Sequence, residues 1–230
     1  MKKRYVLALT AALPLAIALA ASQTKSSASG AELAPTESQA VASTLMYLHL
    51  SGSDFAYRPL PLDDALSAQI YRNYLKSLDE NRIFFLASDI EKFKYYESHF
   101  DDAIKDKNLN PAFDIFKTYI ARVDNRIAYA RGLLKQEFDF TAKEQYQYDR
   151  KDAAWAGTEQ QLDVIWRQSV KNDVLRLKLA GRPMDEIRKT LDKRYSNLSE
   201  RVHQIKSDDV LENFMNAYGN AIDPHTAYFS

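Results

Sequence analysis

The four histidines, His49, His99, His203 and His225, are the side chains best suited to acid–base or metal chemistry in this sequence. His203 follows Ser199 by four residues, one helical turn, which would place a hydroxyl and an imidazole on one face. No third group that would orient the imidazole is evident nearby, so the pair does not amount to a nucleophile with its base. His99 has Asp101 and Asp102 close in sequence, but this reads as a solvated helix face and not as a metal site. The acid pairs Asp63/Asp64, Asp101/Asp102 and Asp208/Asp209 are adjacent. On a helix such neighbours diverge by about 100° and cannot act together on one substrate; helix-start charge is their better role. No glycine-rich phosphate loop is present, and nucleotide binding is unsupported. Cysteine is absent, which excludes disulfides, thiolate metal sites and a cysteine nucleophile. No catalytic, cofactor-binding or metal-ligating residue is therefore assigned, and no cofactor is expected.

The elements that would position such residues are helices. The chain of 230 residues has 46% hydrophobic and 27% charged residues, a globular balance. It has only 6 glycines, too few for the many turns of an all-β protein. Its first 21 residues read as an export leader. Lys2, Lys3 and Arg4 precede an apolar run from Tyr5 to Ala20, which ends on the small-residue pattern Ala18-Leu19-Ala20. Pro14 interrupts the run, which is short for a membrane span. No cysteine follows it, so a lipid anchor is not expected. Residues 22–35, rich in Ser and Ala, read as a flexible mature N-terminus. Cleavage would leave 28 basic against 31 acidic residues, a net charge of −3. That disfavours nucleic acid or an anionic membrane surface as partner.

Helix starts recur as Ser or Thr followed three residues later by Glu or Gln: Thr36/Gln39, Ser88/Glu91, Thr141/Glu144 and Thr158/Gln161. Asn110 before Pro111, and Ser207 before Asp208 and Asp209, supply two more. Apolar residues then recur at helical spacing. Examples are Leu66-Ile70-Tyr74-Leu78, the stripe Phe113 to Leu134, and a third from Ile187 to Ile205. The spacing predicts seven helices over 36–51, 63–79, 88–106, 111–136, 158–180, 184–206 and 208–220. Segment 139–157 reads as a loop packed by its own aromatics. The expectation is an irregular all-α domain over 36–222. Most of the 14 Tyr and 11 Phe fit core stripes, while FAYRP (55–59) and KYYESHF (94–100) could form an exposed patch.

The sequence closes on NAIDPHTAYFS. Gly219 and Asn220 read as a helix end, and Pro224 prevents resumption. Tyr228 and Phe229 have no partner in the sequence that follows, so residues 223–230 read as a connection leading onward.

Asp223-Pro224-His225-Thr226 followed by Tyr228-Phe229-Ser230 resembles the segment that precedes the PDZ domain in C-terminal processing proteases. LDENRIFFLASDI (78–90), YDRKDAAW (148–155) and LRLKLAGRPMDEIRKTLDKRY (175–195) resemble, in order, the periplasmic tail-specific branch of that family. The resemblance runs from about residue 43 to residue 230. It implies the N-terminal helical domain of a serine endopeptidase whose PDZ domain and Ser–Lys dyad lie beyond the matched region. Ser230 is then the end of a linker motif and not a nucleophile. The chain alone is expected to be inactive and periplasmic. The same resemblance implies a role in gating substrate access, contact with PDZ and protease domains, and docking of a helical-repeat lipoprotein adaptor. Asp223, Pro224, His225 and Thr226 become junction residues. The alternative is a stand-alone exported helical module that binds a partner without proteolysis.

Overall fold

A computed structural model describes residues 33–52 and 60–229. The proposed leader, residues 22–32 of the N-terminal stretch, the FAYRP segment and Ser230 lie outside the described residues. Among those described there are eight α-helices and no strand. They are α1 Glu37–Leu50, α2 Asp64–Asp79, α3 Ala87–Phe93, α4 Phe100–Lys105, α5 Asn110–Leu133, α6 Glu159–Leu179, α7 Met184–His203 and α8 Ser207–Ile222. None is long and apolar enough to cross a membrane.

Local chemistry explains most boundaries. Thr36 and Gln39 form the reciprocal box at the start of α1. Thr158 Oγ1 accepts the Gln161 N–H, so α6 begins where the spacing predicts. The Gln161 side chain, however, turns to the Gly157 N–H instead of completing the box.

The predicted helix 88–106 is broken into α3, a 3₁₀ turn over Lys94–Ser98, and α4, which is why eight helices replace seven. The break has a cause: the Phe100 N–H donates to Ser67 Oγ on α2 at 2.8 Å instead of to its own helix. His99 adopts φ −136°, and Phe93 and Phe100 can then both point inward. Ser88 is not the cap of α3. Leu86 is, and its N–H donates to Asp89 Oδ2 at 2.9 Å. At Thr141 no helix begins, because its N–H and hydroxyl both turn back to Asp139 at 2.8 and 2.6 Å. These donors hold the Asp139 carboxyl below its usual range. Asn108 takes the Asn110 N–H, and Asp209 takes that of Lys206, so these two starts shift by a residue.

Two apolar clusters form the core. The first collects α2, α4, the front half of α5 and α8 around Tyr74, Phe100, Phe113 and Phe214. The second collects the rear half of α5 with α6 and α7 around Val123, Trp166, Val170 and Leu191. Leu33, at the first described position, packs against the first cluster. Helix α5 runs through both. Arg122 and Arg126 on α5 are one turn apart and meet Glu159 and Asp163, also one turn apart, on α6. Arg122 also grips Asp89 of α3 through Nε and Nη2 at 2.8 and 3.0 Å. Sharing two carboxylates of one helix with two guanidiniums of another fixes register as well as distance.

The turn after α2 distributes side chains between the clusters. Asp79 accepts the N–H groups of Ile83, Phe84 and Phe85, each at 2.9 Å. Arg82 takes the left-handed conformation, φ 53°. Phe84 then enters the second cluster and Phe85 the first. Burial pushes the Asp79 carboxyl up, and the three backbone donors pull against it. Loop 135–158 closes over this turn. The Ala87 N–H donates to the Ala156 carbonyl at 2.8 Å, and Trp155 packs edge-on to Phe85. The loop is thus tied to the core by Trp155, while Phe138/Phe140 and Tyr146/Tyr148 pack among themselves.

Asp79→Ala would leave three N–H groups without their acceptor. Urea unfolding of the variant is expected to show a loss of about 3 kcal/mol. Asp79→Asn, which keeps one acceptor oxygen, is expected to lose about half as much. A midpoint unchanged by Asp79→Ala would mean that the turn holds without the carboxylate.

Candidate functional site

The histidines separate once the helices are placed. His49 Nδ1 faces the Leu45 carbonyl at 2.7 Å. His99 stacks on Tyr95 with ring centroids 3.8 Å apart, its Nδ1 near the Tyr95 carbonyl and Ser98 Oγ. Tyr95 is the exposed part of KYYESHF, whereas Phe93 and Phe100 are core. His203 has the third group that local sequence did not show: Asp124 of α5, 2.9 and 3.0 Å from Nε2. Ser199 Oγ donates to the same carboxylate at 3.1 Å. The order is therefore serine–carboxylate–imidazole, with the carboxylate in the middle. The imidazole is not hydrogen-bonded to the hydroxyl, so this arrangement pins α7 to α5 and does not activate a nucleophile. Asp124 lies 75 residues before Ser199, and only the α5–α7 packing brings them together. Among the described residues no three His, Asp or Glu side chains are grouped to hold a metal ion.

The tail is more ordered than its sequence implies. Helix α8 continues past Gly219 to Ile222. Asp223 ends it, and its backbone carbonyl accepts the Thr226 N–H at 2.9 Å, closing a turn around Pro224 and His225. The Asp223 carboxylate accepts the His225 N–H at 2.9 Å. This is the Asp-Pro turn the motif predicts. The chain then folds back along α8. Asn216 accepts the Tyr228 N–H at 2.7 Å and donates to the Tyr228 carbonyl at 3.1 Å. The approach explains Gly219. A Cβ there would lie 3.2 Å from the Thr226 methyl and 3.3 Å from Met46 of α1. Tyr228 packs against the first cluster, contrary to the expectation that it lacks a partner, while Phe229 stays 83% exposed. His225 sits exposed in the turn.

Two surfaces could meet other molecules. Helix α1 is apolar on both sides. Ala42, Met46 and Leu50 face the first cluster, and Val41, Leu45 and Leu48 present a stripe 40–52% exposed on another face. The second surface is an open groove of about 460 Å³ between loop 135–158 and α6. Phe140 and Leu175 are among its apolar lining, Tyr146 and Tyr148 its aromatic lining, and Gln168, Asn172 and Arg176 contribute polar groups. Glu144 bridges across it to Arg167 and Lys171 at 3.0 and 3.1 Å. Those two donors hold the Glu144 carboxyl below its usual range. The Lys178 ammonium lies over the Phe140 ring, 4.8 Å from its centroid.

Residues 52–230 match the family described as the tail specific protease N-terminal domain. A tail-specific protease of Haemophilus influenzae is 38% identical over 175 residues, which is 76% of this chain and 25% of that protein. The chain thus spans about a quarter of the length of the curated relative it matches.

The fold-back gives a direct prediction. Asn216→Ala is expected to accelerate amide exchange at Tyr228 by at least tenfold, with amides inside α5 unaffected. Equal exchange at Tyr228 in the two proteins would show that packing alone holds the tail.

Proposed function

This chain belongs to the family of tail-specific protease N-terminal domains, and from that premise we propose that it is the noncatalytic helical part of a protein-cutting machine. It shapes substrate access and docks a partner, while peptide-bond cleavage belongs to polypeptide matched by the remaining three quarters of the relative. The observation that carries this reading is the extent of the match. It takes in nearly the whole helical body but only 25% of the Haemophilus protein.

Two structural features support the roles within that machine. The Asp223–Thr226 turn and the Asn216 clamp on Tyr228 give the exiting chain one direction. Asp223, Pro224, His225 and Thr226 then act as the junction toward a following PDZ domain. The α1 stripe of Val41, Leu45 and Leu48 supports docking, because an apolar helix face in water gains by being covered. A helical-repeat lipoprotein adaptor would offer such a cover. The charged start and apolar run of residues 2–20 support export and a periplasmic place of action.

The test is a chimaera in which this chain replaces the segment of the Haemophilus protein that it matches. The chimaera is expected to cleave a peptide that the Haemophilus protein cleaves, and this chain alone is expected to leave that peptide intact. Cleavage by the purified chain alone, or a folded chimaera without cleavage, would contradict the proposal.

A further inference from the structure

The groove between loop 135–158 and α6 is built for a ligand that the proposed function does not yet name. Its polar side chains are uncommitted: among the described residues Gln168, Asn172 and Arg176 make no side-chain hydrogen bond or ion pair. They stand beside Phe140 and Leu175, which supply an apolar floor. Side-chain amides that donate and accept suit a peptide backbone in extended form, whose N–H and C=O groups alternate at about 3.3 Å per residue.

Charge narrows the ligand further. Arg167, Lys171, Arg176 and Lys178 gather at or beside the groove, against the carboxylates of Asp139 and Glu144. Glu144 is taken by Arg167 and Lys171, which leaves Arg176 as a guanidinium with no acid partner next to an apolar surface. A planar donor fork of this kind fits a carboxylate. The volume, about 460 Å³, lies in the range of sites that enclose a few residues of a peptide.

We propose that this groove binds an extended peptide segment carrying a carboxylate beside an apolar side chain. The carboxylate meets Arg176, the apolar side chain lies on Phe140 and Leu175, and Gln168 and Asn172 meet the backbone. Such a site would hold part of an unfolded polypeptide on the helical domain, apart from any cutting centre. This rests on the reading of the chain as part of a proteolytic machine, and names the class of polypeptide it would hold. The carboxylate could be an internal Asp or Glu or the end of a chain, and the chemistry at Arg176 is the same.

The test uses the full chain and three fluorescein-labelled octapeptides followed by anisotropy. One ends in leucine with a free carboxylate and has no acidic residue. One is amidated and carries an internal Leu-Asp pair. The third is amidated and neutral. At least one acid-bearing peptide is expected to bind at least tenfold tighter than the neutral one, and which one does so identifies the source of the carboxylate. Arg176→Gln, on an exposed side chain that cannot unfold the domain, is expected to reduce that peptide to the neutral level and leave the neutral peptide unchanged. Gln168→Ala is expected to weaken all three alike. Equal affinity for all three peptides, no effect of Arg176→Gln, or no binding at millimolar peptide would overturn the proposal. Competition by a neutral oligosaccharide but by none of the peptides would make the groove a glycan site and overturn it too. Because cleavage by the chimaera reads the domain's larger role, a chimaera that cuts while the groove stays empty would sink this inference alone.

Discussion

The fold turns on one buried carboxylate. Asp79 closes α2 by taking three consecutive backbone N–H groups, and the turn it makes sends neighbouring phenylalanines into different clusters. A helix end normally leaves carbonyls facing water and the next residues free. Here the residues after the helix are held by the helix's own last side chain. The cost of burying the charge is offset by three charge-assisted hydrogen bonds. Through Ala87 and Trp155, the same turn fastens loop 135–158. Helix α5 and the Arg122–Arg126 ladder complete the join between the clusters. A single stiff body results, with the tail strapped along one side and the groove opening on another.

Stiffness is the property a scaffolding domain contributes to an enzyme. A gate or a docking platform must keep its geometry while substrates push against it, and the paired guanidinium contacts between α5 and α6 supply that more than they supply stability. Chemistry-bearing residues are accordingly spent on structure. His203 and Ser199 share Asp124, His99 stacks on Tyr95, and Asp89 serves both as the α3 cap and as the partner of Arg122. What remains uncommitted faces outward: the α1 stripe, Phe229 and the polar side chains of the groove.

Much of this architecture was legible in the residues themselves. The stripes Leu66–Leu78 and Phe113–Leu134 are continuous at helical spacing because each buries one face, and their helices lie where the spacing puts them. Asp-Pro marked its turn for a similar reason, since the chemistry is confined to four residues. Long-range contacts were not legible. Nothing near Phe100 announces that its N–H is claimed by Ser67, 33 residues earlier, so the break between α3 and α4 is invisible locally. Gly219 has the look of a helix end because glycine commonly ends helices. It is there to let Thr226 pass, a fact of the tail's return path. Thr141 and Glu144 have cap spacing, but Asp139 competes for Thr141 and the cations of α6 compete for Glu144. The groove is still further from the sequence, since a loop and a helix build it together. Gln168 and Asn172 would lie on one face of any helix, and only the loop crossing above them makes that face a lining.

The central claim, that the Asp79 turn welds the two clusters into one cooperative body, is tested most directly by native-state hydrogen exchange at the amides of Ile83, Phe84 and Phe85. If the weld is real, these three amides open only with global unfolding, and their exchange free energies equal the stability measured by denaturant. Exchange of these amides through a low-energy local opening, with the amides of α5 still protected, would show two clusters that merely touch.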